Sequence, residues 1–273
     1  MNDRAAKLRA LLEVRDGMII PGCHDALGAR LVEQAGFAVA YTSGFSVSGT
    51  LGLPDVGLMR LGDMAQRTGE IARSVNLPLL VDGDNGYGDA SQTAETVRQL
   101  EREGAVGVHI DDQVLPRPAG ASKSLVAIEE MQAKIAAAGE ARTSRDFTII
   151  GRTDAMATDG FDAALERACA LEDAGADALM IMYLTSRAEV VEAVRVLRKP
   201  LVLVVTETAR KTFRAGELAG AGHAAVIYTV STLLMSLAAQ RTVLAHLAQV
   251  GDTEAFVDQM MPMDQVRPLT GLV

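Results

Sequence analysis

Acidic side chains close two successive apolar runs of the sequence, and their spacing suits metal chemistry. The segment VDGDNGYG, residues 81–88, follows the apolar run LPLL and carries Asp82 and Asp84. The next apolar run, VGVHIDD, ends on Asp111 and Asp112. Because side chains two positions apart in a strand share a face, Asp82 and Asp84 should point the same way. The pattern predicts a group of carboxylates at one end of a sheet.

Grouped carboxylates in a partly dry pocket need a cation, because like charges raise one another's pKa and would otherwise force protonation. Oxygen ligands without an accompanying His or Cys pattern favour Mg²⁺, with Mn²⁺ as a substitute, over zinc. Asp82 is the expected direct ligand, with Asp84 and Asp111 close to the ion or bound through water. Asp112 falls on the opposite strand face, where it should pair with a helix cation. A simple turn is the alternative for residues 82–88, since Asp, Asn and Gly are turn residues.

Polar residues also end other apolar runs. Ser43, the pair Arg152 and Asp154, and Glu207 each close a candidate strand. In a barrel of parallel strands the C-terminal ends of the strands carry the active site. We therefore expect these groups to converge on one mouth. His109 lies one layer deeper, where a hydrogen-bonded core histidine is the ordinary interpretation.

The elements that must position these residues alternate regularly along the chain. Eight apolar runs, starting at residues 18, 38, 77, 106, 147, 178, 201 and 224, are separated by helical patterns. Four helices end in a glycine suited to a left-handed C-cap, namely Gly36, Gly104, Gly175 and Gly222. Eight parallel βα units predict an α/β fold, a (β/α)8 TIM barrel. The alternative is a doubly wound open sheet, but PGCHDALG after the first run offers no glycine-rich phosphate loop.

The length of 273 residues fits one such barrel. We predict a single (β/α)8 domain over residues 1–273, in which the residues from about 251 form a C-terminal tail outside the eight units. The Met-rich stretch DQMMPMDQV in that tail suggests an adaptable packing surface that contacts a partner subunit.

Charge and cysteine content narrow the class of partner. A formal charge of −9 with no run of basic residues argues against nucleic acid and leaves a small molecule as the expected partner. Cys23 and Cys169 are far apart and suggest neither a disulfide framework nor a zinc site, as expected for a reducing cytoplasm. No apolar stretch reaches the roughly 18 residues that a membrane span needs. Cys23 itself is expected to be a small buried hydrophobe.

Five motifs in order resemble the isocitrate lyase and phosphoenolpyruvate mutase superfamily over nearly the whole chain. The motifs are PGCHDALGARLVEQAGF (21–37), YTSGFSVSGTLGLPD (41–55), DGDNGYG (82–88), HIDDQVLP (109–116) and GRTDA (151–155). The resemblance implies a barrel whose C-terminal helical segment is swapped between subunits, and a homotetramer built as a dimer of dimers. It also implies Mg²⁺ and a 2-oxo or 2-hydroxy carboxylate substrate.

The resemblance implies a role for each matching residue. Asp55 joins the three metal-shell carboxylates Asp82, Asp84 and Asp111, the last in place of the family's usual Glu. Arg152, Asp55 and Lys123 are implied in catalysis, with Arg152 gripping the substrate where negative charge develops. The residues implied in substrate binding are Tyr41, Ser43, Gly44, Phe45, Arg152, Glu207 and Thr229.

The loop after the fourth strand departs from the family pattern. Lyases of the superfamily carry Lys-Arg-Cys-Gly-His there, and the Cys delivers a proton, whereas this chain reads PRPAGASKSLV with Ala119 at the Cys position. The Asn that the mutase and phosphonopyruvate hydrolase branches place nearby is missing as well. The oxaloacetate decarboxylase branch has a similar loop without Cys. A later family segment, YPLSAFR, appears here as YTVSTLL without its arginine.

These features predict a Mg²⁺-dependent carbon–carbon lyase or decarboxylase that cleaves a small, oxaloacetate-like acid through an enolate. Two alternatives stay open. One is phosphoenolpyruvate mutase or phosphonopyruvate hydrolase chemistry at a phosphorus–carbon bond. The other is a non-catalytic protein that retains the pocket and binds carboxylates.

Overall fold

Eight parallel β-strands form one sheet in the computed structural model, which describes residues 2–205, 207 and 215–271. The strands are β1 (Met18–Pro21), β2 (Ala40–Thr42), β3 (Leu79–Asp82), β4 (Gly107–Asp111), β5 (Thr148–Thr153), β6 (Ala178–Ile181), β7 (Leu201–Val205) and β8 (Ala225–Tyr228). Each predicted apolar run contains one of them. Neighbours pair in the order β1-β8-β7-β6-β5-β4-β3-β2. A parallel bridge between Gly22 and Tyr41 joins the two ends, so the predicted (β/α)8 barrel is confirmed.

Helices surround the barrel and close one of its ends. They are α1 (Asn2–Val14), α2 (Ala26–Gln34), α3 (Gly44–Thr50), α4 (Leu61–Ser74), α5 (Ala90–Arg102), α6 (Ile128–Ala141), α7 (Phe161–Asp173), α8 (Arg187–Val196), α9 (Ser231–Val250) and α10 (Met263–Leu269). Leu8 and Leu12 of α1 are buried in one cluster with the barrel-lining residues Leu80, Val106 and Ile150. Because α1 covers the N-terminal ends of the strands, the barrel opens at their C-terminal ends, where a cavity lies.

The strands read as almost continuous apolar runs because both of their faces are covered. Every residue of β3, β4 and β6 is buried. The four predicted C-cap glycines all have positive φ, between 82° and 104°, so the helix-to-strand joints lie where the sequence placed them.

Helix α9 projects an apolar surface away from the barrel. Among the described residues of α9, Leu233 is the only one that is buried. Met235 is 71% exposed and Leu244 is 63% exposed. The helix ends at Gly251, which has a φ of 87°, and the tail follows from there. The exchange of this segment between subunits stays a prediction. None of the helices in the described ranges has the length and apolarity that a membrane crossing requires.

A lysine side chain is buried between α6 and the loop that follows β3. Lys134 is 1% exposed, and its ammonium donates to the carbonyl oxygen of Asn85 at 3.2 Å and lies 3.3 Å from Glu130. It falls on the same helix face as the buried Met131 and Ile135. The contact ties the 82–88 loop to a rigid helix.

Replacing Lys134 with Met should therefore lower the free energy of unfolding. The substitution keeps the length of the side chain but leaves the Asn85 carbonyl without its donor, which costs about 1–3 kcal/mol. Urea unfolding at neutral pH measures the change. Lys7→Met, at an exposed position of α1, is the matched control and should stay within about 0.5 kcal/mol of the unmodified protein. Equal stability of the two variants would contradict the role given to Lys134.

Candidate active site

A cavity of about 260 Å³ opens at the C-terminal ends of the strands. Eleven of the residues predicted for the site line it: Tyr41, Ser43, Phe45, Asp55, Asp82, Asp84, Asp111, Lys123, Arg152, Glu207 and Thr229. The twelfth, Gly44, lies directly behind the lining, with its backbone N–H donating to Asp82. The structure therefore brings together residues that are up to 188 positions apart in the chain.

Asp82, at the end of β3, is held by backbone donors on both carboxylate oxygens. Its Oδ2 accepts from the Gly44 N–H at 2.8 Å, and its Oδ1 accepts from the Asp84 N–H at 3.1 Å. Burial alone would raise the pKa of Asp82, but these donors and the nearby Arg152 hold the pKa below its usual value. His109 adds little charge near neutral pH, because burial lowers its own pKa to about 4. Asp82 is thus an anion held in a fixed orientation.

Asp84 and Asp111, the other two carboxylates predicted at the metal, are stabilised less well than Asp82 in their ionised form. Burial and the negative charges of Asp82, Asp111 and Asp55 raise the pKa of Asp84 well above its usual value. Burial also raises the pKa of Asp111, to about 6. Asp84 lies beyond the end of β3 with a φ of 45°, so strand alternation does not extend to it, yet it still reaches the cavity. The negative charges of these carboxylates are therefore not fully neutralised by the neighbouring cations.

The residues present fit a magnesium ion. The described residues include no group of three or more His, Cys, Asp or Glu placed to hold a metal directly. Mg²⁺ does not require one, since it takes one or two protein carboxylates and keeps several waters. Asp82 would hold it, with Asp84 and Asp111 near it. A divalent cation would also offset the mutual repulsion that raises the pKa of Asp84.

Arg152, on β5, lies beside the acidic cluster and is locked in place by Asp154. Its Nε and Nη2 donate to the two carboxylate oxygens of Asp154 at 2.9 and 3.3 Å. Its Nη2 also lies 3.9 Å from Asp111 Oδ2. Lys123 donates to Asp154 as well, and its ammonium lies 5.1 Å from the centre of the Tyr183 ring. Asp154 thereby aims two cations at the cavity.

Tyr41 and His109 form the polar floor of the site. The Tyr41 hydroxyl lies 2.9 Å from His109 Nε2 and 3.5 Å from Asp82 Oδ2. Burial, followed by the charge of Asp82, raises the pKa of Tyr41 well above its usual value, so it stays a neutral phenol. His109 is fully buried, in agreement with the core role expected of it.

Glu207 and Thr229 lie on the far side of the cavity. Glu207 Oε1 accepts from the backbone N–H groups of Val230 and Ser231 at 2.7 and 2.9 Å, so it caps the N-terminus of α9. The Thr229 hydroxyl is buried, with no hydrogen-bond partner among the described residues. That hydroxyl is available to a ligand.

Sequence reasoning missed two polar residues of the site and the role of a third. Gln113 donates from its backbone N–H and its side-chain amide to Asp111, at 3.0 and 2.7 Å. Arg117 donates to Gln113 Oε1 at 3.0 Å and thereby extends the network toward the open end of the cavity. Asp154 was placed at the mouth but not recognised as the shared partner of two cations. Gln113 follows Asp111 by two positions, and the face rule applied there would have found it.

Two further expectations concern residues outside the cavity. Asp112, on the opposite strand face from Asp111, pairs with Arg167 of α7 at 3.3 Å, as predicted for a helix cation. Cys23 is buried, which raises the pKa of its thiol to about 12 and leaves it unreactive. Ala119 is exposed and is not part of the cavity lining.

Comparisons with known proteins agree with this geometry. The profile of the family described as "Phosphoenolpyruvate phosphomutase" matches residues 8–248. The "2-methylisocitrate lyase" of Aeropyrum pernix is 38% identical over 267 residues, which are 97% of this chain and 86% of that protein.

Two solved structures are similar in fold. An oxaloacetate acetylhydrolase in complex with the inhibitor 3,3-difluorooxalacetate superposes with a TM-score of 0.91 at 32% identity, covering 99% of this chain and 94% of that one. A phosphonopyruvate hydrolase in complex with oxalate and Mg²⁺ gives 0.89 at 32% identity, with 98% and 95% covered. The chain therefore belongs to the phosphoenolpyruvate mutase family, within the phosphoenolpyruvate mutase and isocitrate lyase superfamily.

Proposed function

We propose that the protein is a Mg²⁺-dependent carbon–carbon lyase or decarboxylase acting on a small, oxaloacetate-like 2-oxo or 2-hydroxy carboxylate. The observation that carries the proposal is the cavity in which the buried carboxylates of Asp82 and Asp111 and the half-buried Asp84 lie beside the half-buried, fixed guanidinium of Arg152. Such a site offers a place for a cation and a permanent positive charge beside it. The likeness to a phosphonopyruvate hydrolase that holds oxalate and Mg²⁺ supports the same assignment.

The chain's own residues perform the positioning and the charge stabilisation. Cleavage next to a carbonyl or hydroxyl carbon moves an electron pair toward oxygen, and Arg152 is fixed where that negative charge develops. A bound Mg²⁺ would act as a Lewis acid on the same oxygen. Ser43 and Phe45, at the start of α3, would hold the substrate carboxylate, because the first N–H groups of a helix lack partners within the helix. The Gly44 N–H is already used by Asp82.

Decarboxylation suits the composition of the lining. The described lining residues include no Cys and no His, so the acid that delivers a proton in lyases of the family has no evident counterpart. Loss of carbon dioxide does not require such an acid, because the enolate that remains can leave the site and take up a proton from solvent. The likeness to an oxaloacetate acetylhydrolase bound to an oxaloacetate analogue also supports an oxaloacetate-like substrate.

A proton and phosphorus NMR screen of oxaloacetate, dimethylmalate, methylisocitrate and phosphonopyruvate tests the proposal. We expect carbon–carbon cleavage of at least one carboxylate with Mg²⁺, and its loss with EDTA. A moving phosphorus signal with the other acids untouched would instead establish phosphorus–carbon chemistry. Mg²⁺-dependent thermal stabilisation by oxalate, with no turnover and no exchange of pyruvate methyl protons in heavy water, would establish a binding protein.

Gly44→Ala should reduce turnover of whichever acid is cleaved in that screen. A Cβ at this position would lie 2.8 Å from Asp84 Oδ1 and 3.1 Å from Asp82 Oδ2, so both carboxylates would have to move. We expect a loss of about 100-fold in kcat/KM, the effect of a misplacement near 1 Å. Gly49→Ala, in the same helix with open space around its Cβ, is the matched control and should keep full activity. Equal kinetics of the two variants would contradict this account of Gly44.

We also propose a homotetramer in the cytoplasm. Several apolar side chains of α9 and the tail are exposed, among them Met235, Leu244 and Val257. They support contact with another subunit, because a large exposed apolar patch on a protein surface usually marks an interaction site. Two separate free cysteines are consistent with a reducing compartment. Light scattering coupled to size exclusion should give four times the chain mass of 28.8 kDa. A monomer would contradict the assembly.

A further inference from the structure

Asp112, the residue that follows β4, is buried behind the cavity and contacts the end of the next strand. It is 1% exposed. Its Oδ1 accepts from the Asp154 N–H at 3.0 Å, and its Oδ2 accepts from the Thr153 hydroxyl at 2.7 Å. Asp112 is not among the residues that line the cavity. Any effect that it has on a bound ligand must therefore pass through its neighbours.

Asp154, whose backbone Asp112 holds, is the residue that orients two cations of the site. Its side chain accepts from Arg152 on both carboxylate oxygens and from Lys123 on one of them. Asp154 is fully buried and lies behind the lining, whereas Arg152 and Lys123 line the cavity. A shift of the Asp154 backbone would move its carboxylate and both cations with it.

Asp112 also fastens the loop that carries Lys123. Its carbonyl oxygen accepts from the Val126 N–H at 2.8 Å, near the end of that loop. Arg167 of α7 donates to the Val126 carbonyl oxygen at 3.1 Å and to Asp112 Oδ2 at 3.3 Å. The two cations reach Asp154 from two different elements, β5 and this loop, and Asp112 contacts both elements.

A carboxylate suits this position better than a smaller or apolar side chain. Its two oxygens accept from the Asp154 N–H and the Thr153 hydroxyl at once, and the Arg167 guanidinium offsets its buried charge. An apolar side chain would leave those donors buried without an acceptor, which is costly. The end of β5 would then be free to move to other partners.

We propose that Asp112 is a positioning residue, which acts through Asp154 on the two cations that face the cavity. Such support matters because a displacement near 1 Å of a group at the site can cost about 100-fold in rate. The inference rests on the proposed lyase function and adds to it a residue that lies outside the cavity.

Isothermal titration of oxalate in the presence of Mg²⁺ tests the proposal without requiring turnover. We expect Asp112→Ala to raise the Kd for oxalate by at least about 10-fold, because Arg152 is no longer held against the anion. An unfolded fraction would lower the stoichiometry of binding and leave the Kd unchanged. The Kd therefore separates positioning from stability, and an unchanged Kd would overturn the proposal.

Glu101→Ala is the matched control for this measurement. Glu101 is also a buried carboxylate, and its two oxygens accept from the backbone N–H groups of Thr143 and Ser144 at 2.7 and 2.8 Å. These residues precede β5, at the end of the barrel away from the cavity. The control should lower the unfolding midpoint and keep the Kd for oxalate. A rise in Kd equal to that of Asp112→Ala would count against a specific role for Asp112.

A double variant tests whether Asp112 acts through Asp154. Asp154→Ala removes the acceptor that the two cations share, so it should raise the Kd for oxalate by itself. Adding Asp112→Ala should then change the Kd by less than about twofold, because effects that pass through a shared residue are not additive. If the two increases multiplied instead, the proposed action through Asp154 would be wrong.

Arg167→Met is a milder variant, for the case that Asp112→Ala does not fold. The Arg167 side chain is partly exposed, and the substitution removes its contacts with Asp112 and the Val126 carbonyl oxygen. We expect the Kd for oxalate to rise by roughly 3- to 10-fold, and Arg167→Lys should restore part of the affinity. An unchanged Kd in a folded Arg167→Met protein would then overturn the proposal.

The lyase function and this inference can fail separately. If the unmodified protein binds oxalate but cleaves none of the acids, the function fails and the Kd values still decide the inference. If it does not bind oxalate, crystal structures of Asp112→Ala and Arg167→Met decide it. The guanidinium of Arg152 and the ammonium of Lys123 should then be displaced from their places in the unmodified protein. Both cations unmoved in the variants would overturn the inference.

Discussion

Arg152→Lys is expected to lower kcat/KM by about 100-fold while the protein remains folded. Lysine keeps the positive charge but cannot make the two-pronged contact with Asp154, in which Arg152 donates through Nε at 2.9 Å and Nη2 at 3.3 Å. The charge would no longer be fixed where the substrate's negative charge develops. Steady-state kinetics on the acid identified by the NMR screen measure the effect, and circular dichroism checks the fold.

Arg142→Lys is the matched control for this prediction. Arg142 pairs with Asp177 beside the start of β5, at the end of the barrel away from the cavity. In this fold, residues at the N-terminal ends of the strands serve stability rather than catalysis. The control should change the unfolding midpoint but not kcat. If Arg152→Lys kept full kcat/KM, Arg152 would not have the role given to it.

Asp82→Asn is expected to lower kcat/KM by about 1000-fold, because removing the proposed Mg²⁺ ligand would forfeit several kcal/mol of metal assistance. Asparagine has the same shape, and its amide oxygen can still accept from the Gly44 N–H, so the fold should persist. Its lack of charge removes the strongest attraction for Mg²⁺. We expect Mg²⁺ to raise the thermal stability of the unmodified protein, and this stabilisation should disappear in the variant.

The control for this charge removal is Asp177→Asn. Asp177 is also an ion-paired carboxylate, but it contacts Arg9 and Arg142 at the opposite end of the barrel. That variant should keep both its activity and its Mg²⁺-dependent stabilisation. A fully active Asp82→Asn protein would mean that the acidic cluster does not hold the cation.

The barrel could be predicted from the sequence because its strands are buried on both faces and each joint carries its own marker. A short apolar run that lies between two helical patterns, such as LVLVV at β7, is typical of a buried parallel strand. Gly104 and Gly175 adopt the left-handed conformation that the sequence required of them. Local chemistry was therefore sufficient for element type and order.

The site was predictable only where the strand pattern applies. Asp82 and Asp111 end their strands, so alternation placed them correctly, whereas Asp84 has left the strand and reaches the cavity through its φ of 45°. Tyr41, Phe45 and Thr229 were found through family resemblance rather than through spacing.

Side-chain contacts between residues far apart in the sequence could not be predicted from a single sequence. The junction at Asp154 requires Lys123, 31 positions away, to approach β5 over a long loop. The buried contact of Lys134 with Asn85 spans 49 positions. A polar residue on the apolar stripe that includes Met131 and Ile135 was the available clue to Lys134. Met180 and Val204 line the cavity, but β6 and β7 are apolar throughout, so only the closed barrel shows which of their residues face inward.

Crystals soaked with Mn²⁺ and oxalate test the central claim most directly. The carboxylates of β3 and β4 should gather a single divalent cation beside Asp82, within reach of Arg152. Diffraction collected at the manganese absorption edge should then show one anomalous peak next to the Asp82 carboxylate. Well-ordered oxalate in the cavity with no anomalous peak at Asp82 would contradict the account.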